Sequence, residues 1–577
     1  MGGRRFAFLL CATFISAGTD CSVTNMPCFM CSAPSAATRA CASCFLCACP
    51  MEMEKAWPFV LYAIGVCFKL LLFPSYRSTD FDVHRNWLAI TSSLPVSQWY
   101  LDQTSEWTLD YPPFFAWFEW LLAKGALLFD RQMLVVSATP YASPGTIVYQ
   151  RLTVIATDSI LLLGAYAQSR STLASPKLPS SVVITVSLTF LNIGLLLVDH
   201  VHFQYNGMLI GVLLLSCGAL AAGKNRWAAF AFAVLLNLKH LFLFAAPLYF
   251  VQLLRDHVLQ RHPPLPLRPA AVRRLMSLAA LVLGVFTLSI GPFAVRGQLG
   301  HLAARLFPFG RGLIHAYWAP NAWALYTFAD RLGTTLASKL LPKLGMSEAS
   351  VLRVHASGGN GGGSSGIIGE TVMHLLPSIG ASTTGALVLL AQAPVLIGTW
   401  RAPRPSAFAP ALAYCGLTTY IFGYHVHEKA LLPPLLVLMA MSPPAENSVA
   451  ARLHARLLVL LSSAGHYAIL PLLHAPAEWS LARLLSLAYL IALTLVLRWR
   501  MSAPHIGLNT WEVLYLFGFL PLEAFCSFLH PALLAPRMPF LPLMGTSVYC
   551  AIGVLYATRL SYLLWAEYSA DAMHQRV

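Results

Sequence analysis

Four short stretches of the chain concentrate the side chains that can do chemistry. The first is Ser78-Thr-Asp-Phe-Asp-Val-His-Arg-Asn-Trp87, which continues to Glu106-Trp-Thr-Leu-Asp-Tyr-Pro-Pro113. The second is Asp199-His-Val-His-Phe-Gln-Tyr-Asn206. The third is Leu306-Phe-Pro-Phe-Gly-Arg-Gly312 with His315-Ala-Tyr-Trp-Ala-Pro-Asn321, and the fourth is Tyr424-His-Val-His-Glu-Lys429. Asn237, Lys239 and His240 form a smaller group. A carboxylate acts as a general base when it reaches a substrate hydroxyl. Imidazole, ammonium and guanidinium groups beside it suit a phosphate, through charge-assisted hydrogen bonds. An acid for activation and cations for a phosphoryl leaving group together point to glycosyl transfer from a lipid-linked sugar. Trp87, Trp99, Trp107 and Tyr111 suit sugar stacking and suit anchoring at a membrane interface equally well. His425 and His427 are zinc-like in type, but imidazoles at i and i+2 do not share a helical face, so no metal is assigned. The chain has no P-loop or HExxH, and its GxGxxG and GxSxG strings fall inside the Gly/Ser-rich run Ser357–Gly366, where composition makes them uninformative.

The elements that must position these residues are set by composition. Of 577 residues, 57% are hydrophobic and only 11% are charged, where a soluble domain carries roughly 25%. No soluble fold hides that much apolar surface behind so little charge. An ordinary cytosolic enzyme, a disordered chain and a nucleic-acid module are excluded. Helices or closed barrels satisfy the backbone in lipid, and apolar runs of about 15–20 residues favour helices. The net charge of +15 reads as basic cytosolic loops.

The apolar runs predict an all-α polytopic membrane protein with about 14 transmembrane helices, in a range of about 11–15. They lie near 57–73, 150–168, 181–198, 206–222, 227–238, 240–253, 276–293, 381–399, 407–422, 429–441, 456–473, 480–498, 510–528 and 541–563. The aromatic run 112–130 reads as a helix lying in the interface. Every basic loop then falls on one side, the cytosolic one, and all four polar stretches fall on the other. Ionisable residues at the bilayer are functional hypotheses by default.

The expected organisation is a Cys-rich, disordered cytosolic extension at 1–55, then an N-terminal transmembrane module at 56–293 with its long loop at 74–149. A second loop at 294–380 carries the Gly/Ser linker 357–366, and a C-terminal transmembrane module covers 381–577. Eight of the thirteen cysteines precede residue 50. Their spacing allows a zinc site, but without nearby histidine a low-complexity, S-acylated tail is favoured, and no chemistry is assigned there.

Taken together and in order, the motifs around Asp80, Asp110, Asp199, Arg311 and His425–Lys429 resemble the dolichyl-phosphate-glucose-dependent glucosyltransferases of the endoplasmic reticulum. The resemblance spans roughly 55–565. It implies the GT-C membrane glycosyltransferase architecture with long lumenal loops, an endoplasmic reticulum location and a lumenal active site. The implied partners are dolichyl phosphate glucose, a dolichyl-diphosphate-linked oligosaccharide and membrane lipid. No nucleic acid, cofactor or metal is implied. Asp80 is the implied catalytic base. His425, His427 and Lys429 would face the donor phosphate, with His202 and Arg311 as further candidates. Asp82, Glu106, Asp110 and His315 would bind the acceptor or shape loops.

The segments Val83–Trp87 and His315–Tyr326 look like the enzyme that adds the second glucose, in α-1,3 linkage, rather than the first. The alternatives are the first-glucose enzyme, a lipid-linked-sugar mannosyltransferase and, from another class, a transporter or lipid flippase. The last would place charge near the midplane, where Asp158 and Arg559 are the candidates.

Overall fold

The computed structural model describes residues 50–173, 179–260, 269–307, 312–340, 343, 373–442, 448–473, 476–501, 506–534 and 537–574. The cysteine-rich segment 1–49, the Gly/Ser linker 357–366 and Arg311 lie outside the described residues. Contacts divide the chain into Met1–Ala56 and Trp57–Val577. Of the first unit only the start of the helix Pro50–Leu70 is described. The polar stretches all belong to the second.

Helices and turns make up the second unit among the described residues, with one isolated parallel bridge between Ile314 and Val426. Nine helices there are long and apolar enough to cross a membrane. They are Pro144–Ser171, Ser180–Val201, His240–Val258, Pro269–Ala294, Ala381–Arg401, Val449–Leu472, Glu478–Arg500, Thr510–Leu533 and Leu541–Ala570. Ala56–Leu70 and Asn206–Ala221 are shorter apolar helices.

Together these are eleven apolar helices among the described residues, at the lower end of the expected range of about 11–15. Several apolar runs are interrupted where polar residues end the helix. Asn225–Leu238 has 14 residues, a rise of about 21 Å against a hydrocarbon core of about 30 Å. It stops at Lys239, whose backbone is extended. The run at 429–441 divides into a 3-10 turn, Glu428–Leu431, and the short helix Leu432–Met439.

Helix contacts follow the small residues. A Cβ on Gly211 would lie 2.5 Å from the carbonyl of Ile160, so the Asn206–Ala221 and Pro144–Ser171 helices meet backbone to backbone. Large apolar side chains on other helices point outward, among them Leu288, Leu484 and Trp511. Faces of this kind match lipid tails rather than water.

The expected loop 74–149 is largely helical. Thr79–Ser93 and Pro113–Ala126 form helices, with 3-10 turns at Val96–Gln98 and Arg131–Leu134. Within the aromatic run 112–130 the helix covers Pro113–Ala126. It buries Phe115, Ala116, Glu119 and Ala123 and leaves Leu121, Leu127, Leu128 and Phe129 exposed at and beyond its end. Glu119 receives His84 at 2.7 Å, so a buried carboxylate–imidazole pair locks the two helices together.

Candidate functional site

Asp80 stands in the first turn of the Thr79–Ser93 helix, where the helix dipole favours a negative charge. Ser78, the N-cap residue, does not cap its own helix. Its hydroxyl donates instead to the carbonyl of His202, tying the helix start to the second polar stretch. That stretch begins inside a π-helical turn, Leu196–Val201, and then reverses at Phe203, which has φ of +83°. A left-handed phenylalanine costs roughly 1–3 kcal/mol. The reversal brings His202 and Gln204 to the same carboxylate, and Phe203 packs edge-on against Phe81 at 5.2 Å.

Three side chains converge on Asp80 Oδ2. Lys429 Nζ lies at 3.1 Å, His202 Nε2 at 3.3 Å, and the Gln204 amide donates a close hydrogen bond. Burial pushes the Asp80 carboxyl up. Lys429, the His202 hydrogen bond and charge, and the charge of His84 outweigh it and hold the group well below the usual carboxylate range. The side chain is still 28% exposed, so the anion is both pinned and accessible. Behind His202, Nδ1 lies 2.9 Å from the Tyr76 hydroxyl, which donates to the Leu472 carbonyl. Arg151 fixes that segment by donating to the carbonyls of Leu72, Ser75, Tyr76 and His200.

The third and fourth polar stretches meet beside this centre. The backbone N–H of His425 donates to Leu313 at 3.0 Å, and the Trp323 indole donates to Gly423 at 2.8 Å. His425 and Trp318 both sit in the left-handed region, at φ of +51° and +49°. The rings of His315 and His427 are 3.5 Å apart between centroids, with His425 5.4 Å from His315. His315 Nδ1 also faces the fully buried Glu428 at 3.5 Å. Burial raises the Glu428 carboxyl, but the His315 hydrogen bond and charge and Lys429 bring it below its usual value. His427 is held neutral, first by burial and then by the charges of His315, Lys429 and His425.

The three imidazoles each offer a nitrogen within 4.8 Å of the others, a donor set that a zinc-like ion accepts. The sequence argument against a metal assumed a helix. His425 instead sits in a left-handed turn and His427 in extended backbone, and this turn leaves their rings 6.0 Å apart and both beside His315, so that argument lapses. The adjacent Lys429 ammonium makes the same imidazoles suited to an anion.

Of the sequence candidates, Asp80, His202 and Lys429 come together, and His315, His425 and His427 come together next to them. Asp82 does not join them. It lies two residues on, toward another face of the helix, where burial raises its carboxyl against the pull of Arg77 and Arg85. Glu106 is exposed. Asp110 lies close enough to Tyr100, Tyr111 and Lys239 for its charge to be felt there.

Trp87 and Trp99 are 2% and 1% exposed, so they serve packing and not sugar stacking. Trp87 and Asn86 donate to the carbonyls of Thr108 and Trp107, latching the Glu106–Pro113 segment. Gln204 and Tyr76 are members of the site that sequence reasoning did not single out. Gln204 stood within a quoted motif; Tyr76 carried no signal beyond adjoining one.

An accessible carboxylate–cation centre among apolar helices defines, over the described residues, a helical polytopic membrane protein with a concentrated polar site. Residues 65–561 match the ALG6, ALG8 glycosyltransferase family. Among similar proteins is the "Probable dolichyl pyrophosphate Glc1Man9GlcNAc2 alpha-1,3-glucosyltransferase" of Drosophila melanogaster, 43% identical over 88% of this chain and 94% of its own length. Proteins of Bos taurus and Arabidopsis thaliana named "Dolichyl pyrophosphate Glc1Man9GlcNAc2 alpha-1,3-glucosyltransferase" are each 40% identical, over 86% of this chain and 94% and 95% of their own lengths. The chain belongs to the ALG6, ALG8 glycosyltransferase family and is a glycosyltransferase.

Proposed function

We propose that the enzyme transfers glucose from dolichyl phosphate glucose to a dolichyl-diphosphate-linked oligosaccharide that already carries one glucose, forming an α-1,3 bond. The relatives' names carry Glc1Man9GlcNAc2, a glycan with one glucose, and this supports a mono-glucosylated acceptor and transfer of the second glucose. The reaction takes place at the lumenal face of the endoplasmic reticulum membrane. The observation that carries the reading is the accessible Asp80 carboxylate, held in contact with Lys429.

Asp80 accepts the proton of the acceptor's 3-hydroxyl. The hydroxyl oxygen attacks the anomeric carbon of the β-linked glucose from the face opposite the phosphate. The bond from anomeric carbon to phosphate oxygen breaks, dolichyl phosphate leaves with the electron pair, and the configuration inverts to α. An aspartate held well below its usual range is a weak base, and the same contact explains how it is activated. When Lys429 turns toward an incoming phosphate, Asp80 loses its main counter-charge and its proton affinity rises. His425 and His427, with His315 behind them, border the phosphate, and the chemistry requires no metal. Asp158 speaks against a transport path: it is fully paired, to Lys69 at 2.6 Å and His200 at 2.7 Å, in the helix core.

Purified enzyme supplied with dolichyl phosphate glucose and defined acceptors tests the reading. Transfer to the mono-glucosylated glycan, giving a new α-1,3 linkage, is expected. Transfer only to the unglucosylated glycan would move the assignment to the first-glucose reaction. A mannosyl donor preference would refute the proposed donor.

A further inference from the structure

Lys239 is a buried cation that neither the fold nor the residues discussed above account for. It occupies the break between the Asn225–Leu238 helix and the 3-10 turn His240–Ala245, and its side chain is 9% exposed. An ammonium has three hydrogens to place. Among the described residues it makes one hydrogen bond, a long one of 3.4 Å to Asn206 Oδ1, and the Tyr111 ring lies 4.8 Å away. Among the described residues no carboxylate forms an ion pair with it. A buried charge is retained only where it is paired.

Its neighbours lead back to the reaction centre. Asn206 donates to Gln204 Oε1 at 2.7 Å and to Asp199 Oδ1 at 2.8 Å, and Gln204 donates to Asp80. Lys239 and Asp80 are thus ends of one hydrogen-bonded chain. We propose that Lys239 is a second cation of the donor site, binding a phosphate oxygen of the lipid-linked sugar phosphate together with Lys429 and sharing the charge of the leaving group. This rests on the reading that the donor is a dolichyl phosphate sugar. A phosphate between the two lysines supplies the counter-charge that Lys239 lacks and relieves the repulsion between them.

Burial and the nearby Lys429 bring the Lys239 ammonium down to about 8, while Asp199, Asp80 and Asp110 pull the other way. His240, next in the chain, feels the Lys239 charge, and Tyr111 presents its ring face. Donor capture by the resting enzyme therefore weakens as pH rises through about 8.

The test uses the full-length enzyme with dolichyl phosphate as a product inhibitor, and the variants Lys239→Gln and Lys239→Arg. In Lys239→Gln the inhibition constant and the donor KM are expected to rise at least tenfold, with acceptor KM within twofold of wild type. The alkaline limb of kcat/KM for the donor should vanish in Lys239→Gln and move up by more than one pH unit in Lys239→Arg. If Lys239→Gln does not fold, the Arg variant's limb decides alone. Equal dolichyl phosphate inhibition in wild type and Lys239→Gln, or an unmoved limb in Lys239→Arg, overturns the proposal. Wild-type enzyme that dolichyl phosphate does not inhibit at all would instead refute the donor reading beneath it.

Discussion

Two aspartates in this molecule carry the same partners, a lysine and a histidine on a single carboxylate oxygen. At Asp158 these are Lys69 at 2.6 Å and His200 at 2.7 Å, and the carboxylate is 3% exposed. At Asp80 they are Lys429 at 3.1 Å and His202 at 3.3 Å, and the carboxylate is 28% exposed. The chemistry of the two triads is nearly identical. What separates them is closure. The first is sealed inside the helix bundle, where all its charge is spent on internal contacts. The second has longer contacts and an open side, so its lysine has somewhere else to go. Composition of a polar cluster is thus a poor guide to function on its own, and access decides.

The comparison can be broken from either end. The largest expected effect is at the sealed triad. Lys69→Met strands a buried carboxylate, and breaking such a pair costs about 3–5 kcal/mol. Yield and thermal stability in detergent should fall sharply, while turnover per folded molecule stays within about twofold of wild type. Loss of turnover at unchanged stability would make the sealed triad part of the chemistry.

At the open triad the pattern should reverse. Lys429→Gln is expected to lower kcat/KM by about 10²–10³, the scale of a lost charge contact to a reacting phosphate, with a smaller change in melting temperature. Melting curves and donor saturation curves on one preparation separate the two cases.

The same variant shifts the pH profile. Lys429 and His202 outweigh burial and hold Asp80 well below its usual range, so the ionised base persists in the free wild-type enzyme below pH ~4. Removing Lys429 leaves burial, which raises the carboxyl. The acid limb of kcat/KM should therefore move to higher pH, and a limb that stays in place would show that Lys429 does not govern Asp80.

Smaller effects mark the edge of the site. His202→Ala should cost about tenfold in rate, since it removes one of three contacts to Asp80. Glu106→Gln should change transfer by less than about twofold, because that side chain is exposed. A larger loss would return Glu106 to the acceptor site.

The contrast between the triads also explains what could be read from sequence. Asp80, His202 and Lys429 stood in recognisable motifs, and four polar stretches on one predicted face implied a shared site. Lys69 passed unnoticed because it ends an apolar run and looks like the edge of a span. Its partner Asp158 lies 89 positions away, a pairing that no local pattern encodes. Gln204 was visible as a letter in a motif, but only the left-handed turn at Phe203 aims it at Asp80.

The helix boundaries were harder to read for a related reason. Hydropathy does not show where a polar break ends a helix inside an apolar stretch, as at Lys239 and at His425–Lys429. The aromatic residues illustrate the same limit. Trp87 and Trp99 had the composition of a sugar platform, and burial assigns them to packing.

The central claim is that Asp80 is the base and that its accessibility is what makes this triad, and not the other, an active site. The most direct test is single-turnover transfer by purified Asp80→Asn with dolichyl phosphate glucose and the mono-glucosylated acceptor, alongside donor binding to the same preparation. The account predicts donor affinity within a few-fold of wild type and a transfer rate lower by about 10³ or more. A transfer rate near that of wild type would contradict it.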